Sequence, residues 1–396
     1  MSSRIKVLYV QPNSEIGGSD ICLLRMVQAL DKELFEPLVV VPKDGPLVPA
    51  FEREGATVRF LAMKQLRTLP SPAYQAGYLG RFGPTVLALK DLITSEQASI
   101  VHTNSLYSLY GAWAARLAGR PHVWHIREIP PNIPVARQAL ARAVEGLSAS
   151  VVSMTEACQH SLFGKRRPAN ATVLYEGISL TEFHEDVSGL RIREALGVGA
   201  RVPLVGFVAR LDPWKGLDVF LRAAALIRER FPDAHFLVAG GAPKGFERYE
   251  TKMRALTACL GLSSCVHFSG WQFGQADIPE LMASIDVLSH TSINPEPFGL
   301  VLIEAMAMSR PVVATRMGGP LEIVADGISG VLTAPGEPRE NADAICRLLA
   351  DPALCRQIGL AARKRVEEMF PIQGFRRKLT GVYEQASAER RPARTA

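Results

Sequence analysis

This chain of 396 residues lacks several patterns that would each point to a class of protein. Its six cysteines (Cys22, Cys158, Cys259, Cys265, Cys346 and Cys355) are scattered, and none forms a Cys-x-x-Cys pair. Neither a zinc site nor a disulfide framework is indicated, and a reducing cytoplasm is the expected compartment. No apolar run is long enough to span a bilayer. The opening, Met1-Ser-Ser-Arg-Ile-Lys-Val-Leu-Tyr-Val10, reads as a first strand and not as a signal peptide. No Asp-x-Asp pair follows a strand, so no divalent metal is implied. Walker-loop, Ser-His-Asp and Cys-His arrangements are also missing. A net charge of +6 is ordinary at this length and calls for no nucleic-acid partner.

What is present describes a globular α/β protein. Hydrophobic residues make up 47% and charged residues 21%, and the length suits about two domains. Short β-branched runs alternate with helix-period segments, the pattern of parallel sheets covered by helices. The expected strands are 5–10, 37–41, 58–61, 100–102, 122–125, 151–154 and 172–174 in the first half. In the second half they are 203–209, 235–239, 266–269, 286–290, 311–315 and 330–333. A polar stretch with Gly189, Gly197 and Gly199, residues 177–201, reads as the interdomain connection. The expected domains are 1–188 and 200–369, followed by a helix over 370–387 and an unstructured tail, 388–396. Residues 63–90 hold Pro70, Pro72, Gly77, Gly80, Gly83 and Pro84, with Tyr74, Tyr78, Phe82, Lys64, Arg67 and Arg81. They read as a long aromatic, basic loop, either a grip for substrate or membrane or an irregular surface connection.

Four constellations carry chemistry. The first is Asn294-Pro-Glu-Pro-Phe-Gly-Leu-Val-Leu-Ile-Glu304, with Glu296 in a Pro-flanked turn and Glu304 eight positions on. The helix-forming run 298–308 puts Glu304 about two turns into a helix, whose first amides, unpaired within it, favour a diphosphate or sugar hydroxyls. The second is Gly206-Phe-Val-Ala-Arg210-Leu-Asp-Pro-Trp-Lys215-Gly216. There a strand runs into a loop whose two cations either bind phosphate or pair with Asp212 and Asp218. The third is Glu15-Ile-Gly17-Gly18-Ser19-Asp20, a strand-to-helix turn whose glycines admit close backbone approach. The fourth comprises strand-end histidines: His102 followed by Asn104, and His125 followed by Arg127 and Glu128. They form either a polar cluster over a reacting group or two structural histidines bonded to backbone.

Together these residues resemble glycosyltransferase family 4, over nearly the whole chain. The resemblance implies the GT-B architecture: two Rossmann-like parallel-sheet domains facing across a cleft, with a carboxy-terminal helix crossing back. It implies that Arg210 and Lys215 hold the donor diphosphate. Glu296 and the amides of Phe298, Gly299 and Leu300 would contact the transferred sugar, and Glu304 the ribose hydroxyls. Trp271 would lie in the loop passing the base, Gly17 and Gly18 at the donor phosphate, and His125 near the donor sugar. The motif after His125, Ile-Arg-Glu, departs from other branches. His102, Asn104, Arg127 and Glu128 would lie on the acceptor side.

The activity implied is metal-independent hexosyl transfer with retention of configuration, from a nucleoside-diphosphate sugar to an acceptor hydroxyl. UDP-sugar is the default donor, and GDP-sugar is the other. The leaving diphosphate would help deprotonate the acceptor, and the protein would act by positioning and charge stabilisation. The expected acceptor is a saccharide or lipid-linked saccharide of bacterial surface polysaccharide, handled in the cytoplasm or at the inner face of the cell membrane. A small natural-product acceptor is the alternative. Hydrolase, epimerase and phosphorylase chemistry, or an inactive nucleotide-sugar-binding or scaffold subunit, are the competing readings. Oligomeric state stays open.

Overall fold

A computed structural model describes residues 4–66 and 71–388. The chain forms two compact units. One runs to Gly177 and resumes at Ile372; the other is Ile178–Pro371.

In the first unit the strands are β1 (Ile5–Val10), β2 (Phe35–Val41), β3 (Thr57–Phe60), β4 (Ile100–Thr103), β5 (His122–Ile126), β6 (Ser150–Ser153) and β7 (Ala171–Val173). They pair in the order β3-β2-β1-β4-β5-β6-β7, all parallel. In the second unit β8 (Leu204–Val208), β9 (His235–Ala239), β10 (Val266–Gly270), β11 (Val287–His290), β12 (Val312–Thr315) and β13 (Val331–Thr333) pair as β10-β9-β8-β11-β12-β13, again all parallel. Each expected strand is found. Runs such as Val7–Val10 and Leu38–Val40 are wholly buried, as helices on both faces require.

The strand orders position the sites. Where a doubly wound sheet reverses direction, the loops leaving neighbouring strands diverge and open a crevice at the carboxyl ends. In the first unit that reversal lies between β1 and β4, and in the second between β8 and β11. The glycine turn follows β1, His102 and Thr103 end β4, and Asn104 comes directly after it. The Arg210 loop follows β8, and the glutamate segment follows β11.

The chain returns to the first unit through the helix Ile372–Ala388, which buries Phe375, Leu379, Val382, Tyr383 and Ala386 at helical spacing. It packs on the helix Gly18–Ala29, where Arg376 Nε donates to the Ala29 carbonyl at 2.6 Å. Tyr383 meets Phe35 edge-on at 5.4 Å between ring centres.

Three expectations are corrected. Residues 63–90 are not a long loop: most of them belong to the helix Pro72–Ser95. Ser71 caps it by accepting from the Tyr74 amide at 3.3 Å, and Pro72 suits the first turn. Gly77, Gly80, Gly83 and Pro84 are poor helix formers, yet burial of Tyr78, Thr85, Val86, Leu89 and Ile93 prevails. Arg67 and Pro70 of that segment lie outside the described residues, as does the tail from 389.

The stretch 177–201 is not a free connection, since it holds the packed helix Leu190–Leu196 of the second unit. Within it, buried Arg193 donates to the carbonyls of Ser284, Val202 and Gly199 at 2.7, 2.8 and 3.0 Å and to Asp286 at 2.9 Å. The glutamate helix spans only Leu300–Ala307, because Gly299 at φ 107° cannot continue a right-handed helix. Glu304 therefore lies just over one turn in.

Candidate functional site

In the second unit, β8 leads through Arg210 into the turn Pro213–Lys215, capped by Asp212. Gly216 follows at φ 70°, where a Cβ would run into the Thr291 carbonyl. That close approach draws the β8 loop onto the segment leaving β11. Thr291 Oγ1 donates to the Gly216 carbonyl at 2.9 Å, and the Ile293 amide to the Trp214 carbonyl at 2.8 Å.

The contact brings together two residues that are distant in sequence. Lys215 Nζ donates to Glu296 Oε2 at 2.6 Å. The same oxygen accepts from Ser292 Oγ at 3.1 Å and faces His290 Nε2 at 3.3 Å. Burial alone would raise the Glu296 carboxyl, but Lys215 and the His290 bond outweigh it and hold the group well below the usual carboxylate range. Glu296 is thus a buried carboxylate fixed through one oxygen; none of these three bonds uses Oε1.

A glycine pair clasps the turn that carries it. Gly319 N–H donates to the Glu296 carbonyl at 2.7 Å, and Gly318, at φ 71°, pairs with Glu296 as an isolated bridge. A Cβ on Gly318 would sit 2.9 Å from the Glu296 nitrogen, and one on Gly319 would sit 2.5 Å from the Phe298 carbonyl oxygen.

Arg210 differs from Lys215. Its side chain is 36% exposed, and its ion pair to Asp212 is long, at 3.8 Å. Glu304 is buried. Phe298 is buried edge-on against Phe370 at 5.9 Å, and Gly299 opens the helix whose first amide is that of Leu300. Trp271, at the end of β10, is 53% exposed and stands over Gly241, whose Cβ would lie 2.5 Å from the indole nitrogen.

In the first unit, Gly17 caps the helix Gly18–Ala29, and a Cβ on Gly18 would meet nothing within 4 Å. The fold itself therefore does not demand glycine at 18. His102, Asn104, His125 and Arg127 are brought together but buried. Arg127 donates to the Glu176 carboxylate and to the Asn104 amide oxygen. Asn104 Nδ2 in turn donates to Gln11 at 2.7 Å and to the Ser19 carbonyl at 3.0 Å, tying the glycine turn to the sheet. Glu128 is committed to the loop after β4 and to its own neighbour: it accepts from Ser105 Oγ and from the amides of Leu106 at 2.8 Å and Arg127 at 3.1 Å. Burial, then the charge of Arg127, holds both His102 and His125 well below the ordinary imidazole range, so both are neutral at pH 7.

Sequence reasoning missed His290, Ser292, the Gly318–Gly319 clasp, Gln11, Glu176 and Tyr383. The first two adjoin the glutamate motif at a strand end, which was the available signal. The others are joined to the site only through the fold.

Two sheets of this order, with glycine turns and charged loops at their carboxyl ends, define the GT-B class. Residues 190–365 match the model of glycosyl transferases group 1, and residues 17–177 match a glycosyl transferase 4-like domain. A GDP-mannose-dependent α-(1-6)-phosphatidylinositol monomannoside mannosyltransferase of Mycolicibacterium smegmatis is 32% identical over 74% of this chain and 80% of its own length. The chain belongs to glycosyltransferase family 4, within the group 1 glycosyl transferases. A D-inositol 3-phosphate glycosyltransferase of Salinispora arenicola is 36% identical over 50% of this chain, and the match spans 46% of that relative's length. Anabaena HepE, solved with UDP and glucose, aligns with a TM-score of 0.83 at 27% identity, over 96% of this chain and all of that one.

Proposed function

We propose that this protein is a retaining glycosyltransferase that moves a hexose from a nucleoside-diphosphate sugar to an acceptor hydroxyl. The observation that carries the reading is Glu296, held ionised and aimed by Lys215, Ser292 and His290 at the mouth of a helix. Its remaining oxygen, Oε1, accepts hydroxyls of the transferred sugar. Amides of Phe298, Gly299 and Leu300 add donors from the helix mouth. Glu304 takes the ribose, and Trp271 lies along the base. With Lys215 engaged by Glu296, Arg210 is the cation left to meet the leaving diphosphate, whose growing charge it stabilises. The leaving phosphate then helps remove the acceptor proton on the same face. No resident cofactor or metal has a part in this scheme.

UDP-sugar is the first donor to test, because HepE was solved with UDP and glucose. GDP-mannose is the second, because the mannosyltransferase relative is named for it. A thermal-shift panel decides. A donor at 100 times its Kd adds about 2.7 kcal/mol of apparent stability. No rise with any nucleoside diphosphate or its sugar sinks the proposal. The anomeric configuration of the product, read by NMR, tests retention.

A lipid-linked saccharide at a membrane surface is the acceptor class favoured by the helix Pro72–Ser95. Its exposed face carries Ala76, Leu79, Gly80, Gly83, Pro84 and Leu87, flanked by Arg81 and Lys90. An apolar strip edged by cations suits an anionic lipid surface. Among the described residues, no helix is long and apolar enough to cross a membrane.

A further inference from the structure

We infer that a cavity at the amino ends of β8, β9 and β10 is a binding site for a phosphate group, held between Arg201, Arg228 and His235.

The three strands are parallel neighbours, so they begin at one end of the sheet, at Leu204, His235 and Val266. The residues just before them open a cavity of about 500 Å³. That volume is in the range of small-molecule sites. The loops carrying Arg210 and Glu296 leave the carboxyl ends of β8 and β11, at the opposite end of the same sheet. A ligand in the cavity therefore does not compete with one at those loops.

Positive charge collects there. Arg201 lines the cavity from the segment before β8, and Arg228 from the last turn of the helix Leu217–Arg230. Among the described residues, neither is ion-paired with a carboxylate; Arg228 Nη1 reaches the Ala234 carbonyl at 3.4 Å. Arg230, in the same turn, is by contrast taken by Asp343 at 2.8 Å. The helix dipole favours a cation at that end, which accounts for Arg228 by itself. It does not account for Arg201, which reaches the same cavity from another segment. Asp233 is the one carboxylate of the lining, and two guanidiniums against it leave a net positive charge. Their forked N–H donors match the oxygens of a phosphate.

His235 supplies a third donor. Its Nδ1 lies 2.7 Å from His267 Nε2, so one of these atoms donates and the other accepts. Burial, then the charge of Arg228, lowers the His235 pKa, and burial, then His235, lowers that of His267, so both rings are neutral at pH 7. Two arrangements satisfy the contact. If His267 Nε2 donates, His235 carries its own proton on Nε2. If His235 Nδ1 donates, His235 Nε2 is bare. An anion beside His235 attracts the N–H and repels the bare lone pair, so it selects the first arrangement. Inorganic phosphate and a sugar phosphate share this chemistry, and the cavity has room for either. The inference stands on the cavity's own residues and does not depend on the functional reading above.

The test is long-range proton–nitrogen NMR of the imidazoles in the ¹⁵N-labelled full chain, titrated with inorganic phosphate and, separately, with glucose 1-phosphate. The protein has 8 histidines, and His235→Gln and His267→Gln assign the two signals. Because both rings belong to this end of the sheet, their response separates the cavity from any binding near Arg210 and Glu296. Saturable shifts of both signals are expected, with both rings ending as Nε2–H tautomers. Tighter binding of glucose 1-phosphate assigns the site to a sugar phosphate; tighter binding of inorganic phosphate assigns it to the free ion. Arg201→Gln with Arg228→Gln should weaken binding at least about tenfold, as loss of charge-assisted bonds requires. Arg201 is exposed, so Arg201→Gln alone keeps the test open should the double variant not fold. Shifts that never saturate with either probe, an Nδ1–H form of His235 in the bound state, or equal affinity without the arginines would overturn the inference.

Discussion

Replacing Lys215 by methionine tests whether the Lys215–Glu296 pair is the electrostatic keystone of the second unit. The side chains are 16% and 10% exposed, and their charged atoms lie 2.6 Å apart. Removing the lysine leaves a buried carboxylate with only Ser292 and His290. Breaking such a pair costs about 3 kcal/mol, at the low end for buried pairs because some solvent reaches it. Glu296→Gln is milder, about 1 kcal/mol, because the freed ammonium lies near the surface and can hydrate. The double variant should therefore cost about 2 kcal/mol, not 4, a coupling of about 2 kcal/mol.

The pH dependence supplies an independent sign. The folded-state Glu296 pKa lies well below its unfolded value, so its contribution is present above about pH 5 and is lost as pH falls toward the folded value. In Lys215→Met the lysine no longer opposes the effect of burial, and the carboxyl moves up. The variant then takes its proton in the folded state and escapes that acid loss. The stability gap between wild type and Lys215→Met should narrow by at least about 1.5 kcal/mol between pH 5 and pH 3. Urea denaturation followed by tryptophan fluorescence measures it, helped by Trp214, whose ring lies 3.9 Å from Lys215 Nζ. Additive single substitutions, or a gap that ignores pH, would refute the reasoning.

The remaining predictions concern the site's other parts. Arg210→Ala should lower kcat on the order of 100-fold with an unchanged unfolding midpoint, since its guanidinium is partly exposed and only loosely paired. Gly318→Ala should cost about 2 kcal/mol or more by urea denaturation, because its φ of 71° and the Glu296 backbone both oppose a Cβ. Gly18→Ala is the contrast: no atom crowds its Cβ, so calorimetry should show weakened binding of the nucleotide sugar without lost stability. Leu79→Glu with Leu87→Glu should abolish co-sedimentation with phosphatidylglycerol vesicles at low salt, and a wild-type protein that stays in the supernatant would remove the membrane from the proposal.

The strands were legible because each is a short run rich in β-branched or apolar residues, and the central ones are buried on both faces, where local pattern and tertiary environment agree; the edge strands β3, β7 and β10 are partly exposed. The helix Pro72–Ser95 was not, since Gly77, Gly80, Gly83 and Pro84 argue locally for a loop and only its packing argues for a helix. The same division runs through the sites. Glu296 and Glu304 share one contiguous motif, and Arg210 and Lys215 share another, so the residue types and spacing could be read directly. That Lys215 serves Glu296 could not, because the pair spans 81 positions and depends on Gly216 admitting the Thr291 carbonyl. Tyr383 stands 281 positions from His102 and carries no motif at all.

His102, Asn104, Arg127 and Glu128 show where residue type misleads most. Strand-end polar residues are good candidates for ligand contact, yet here they satisfy one another. Arg127 is tied to Glu176 and Asn104, Asn104 to Gln11 and Ser19, and Glu128 to Ser105 and Leu106. A buried ion pair adds little net stability over apolar packing, but it punishes any arrangement that separates its partners. Such a network is better suited to fixing a geometry than to recognising a substrate. In this unit it leaves His125 Nε2 without a hydrogen-bond partner, and a Cβ on Gly18 would meet open space. The donor side was readable because its residues act through their own charges. The polar network of the first unit acts through the rigidity it imposes, and rigidity is a property of contacts that a sequence does not display.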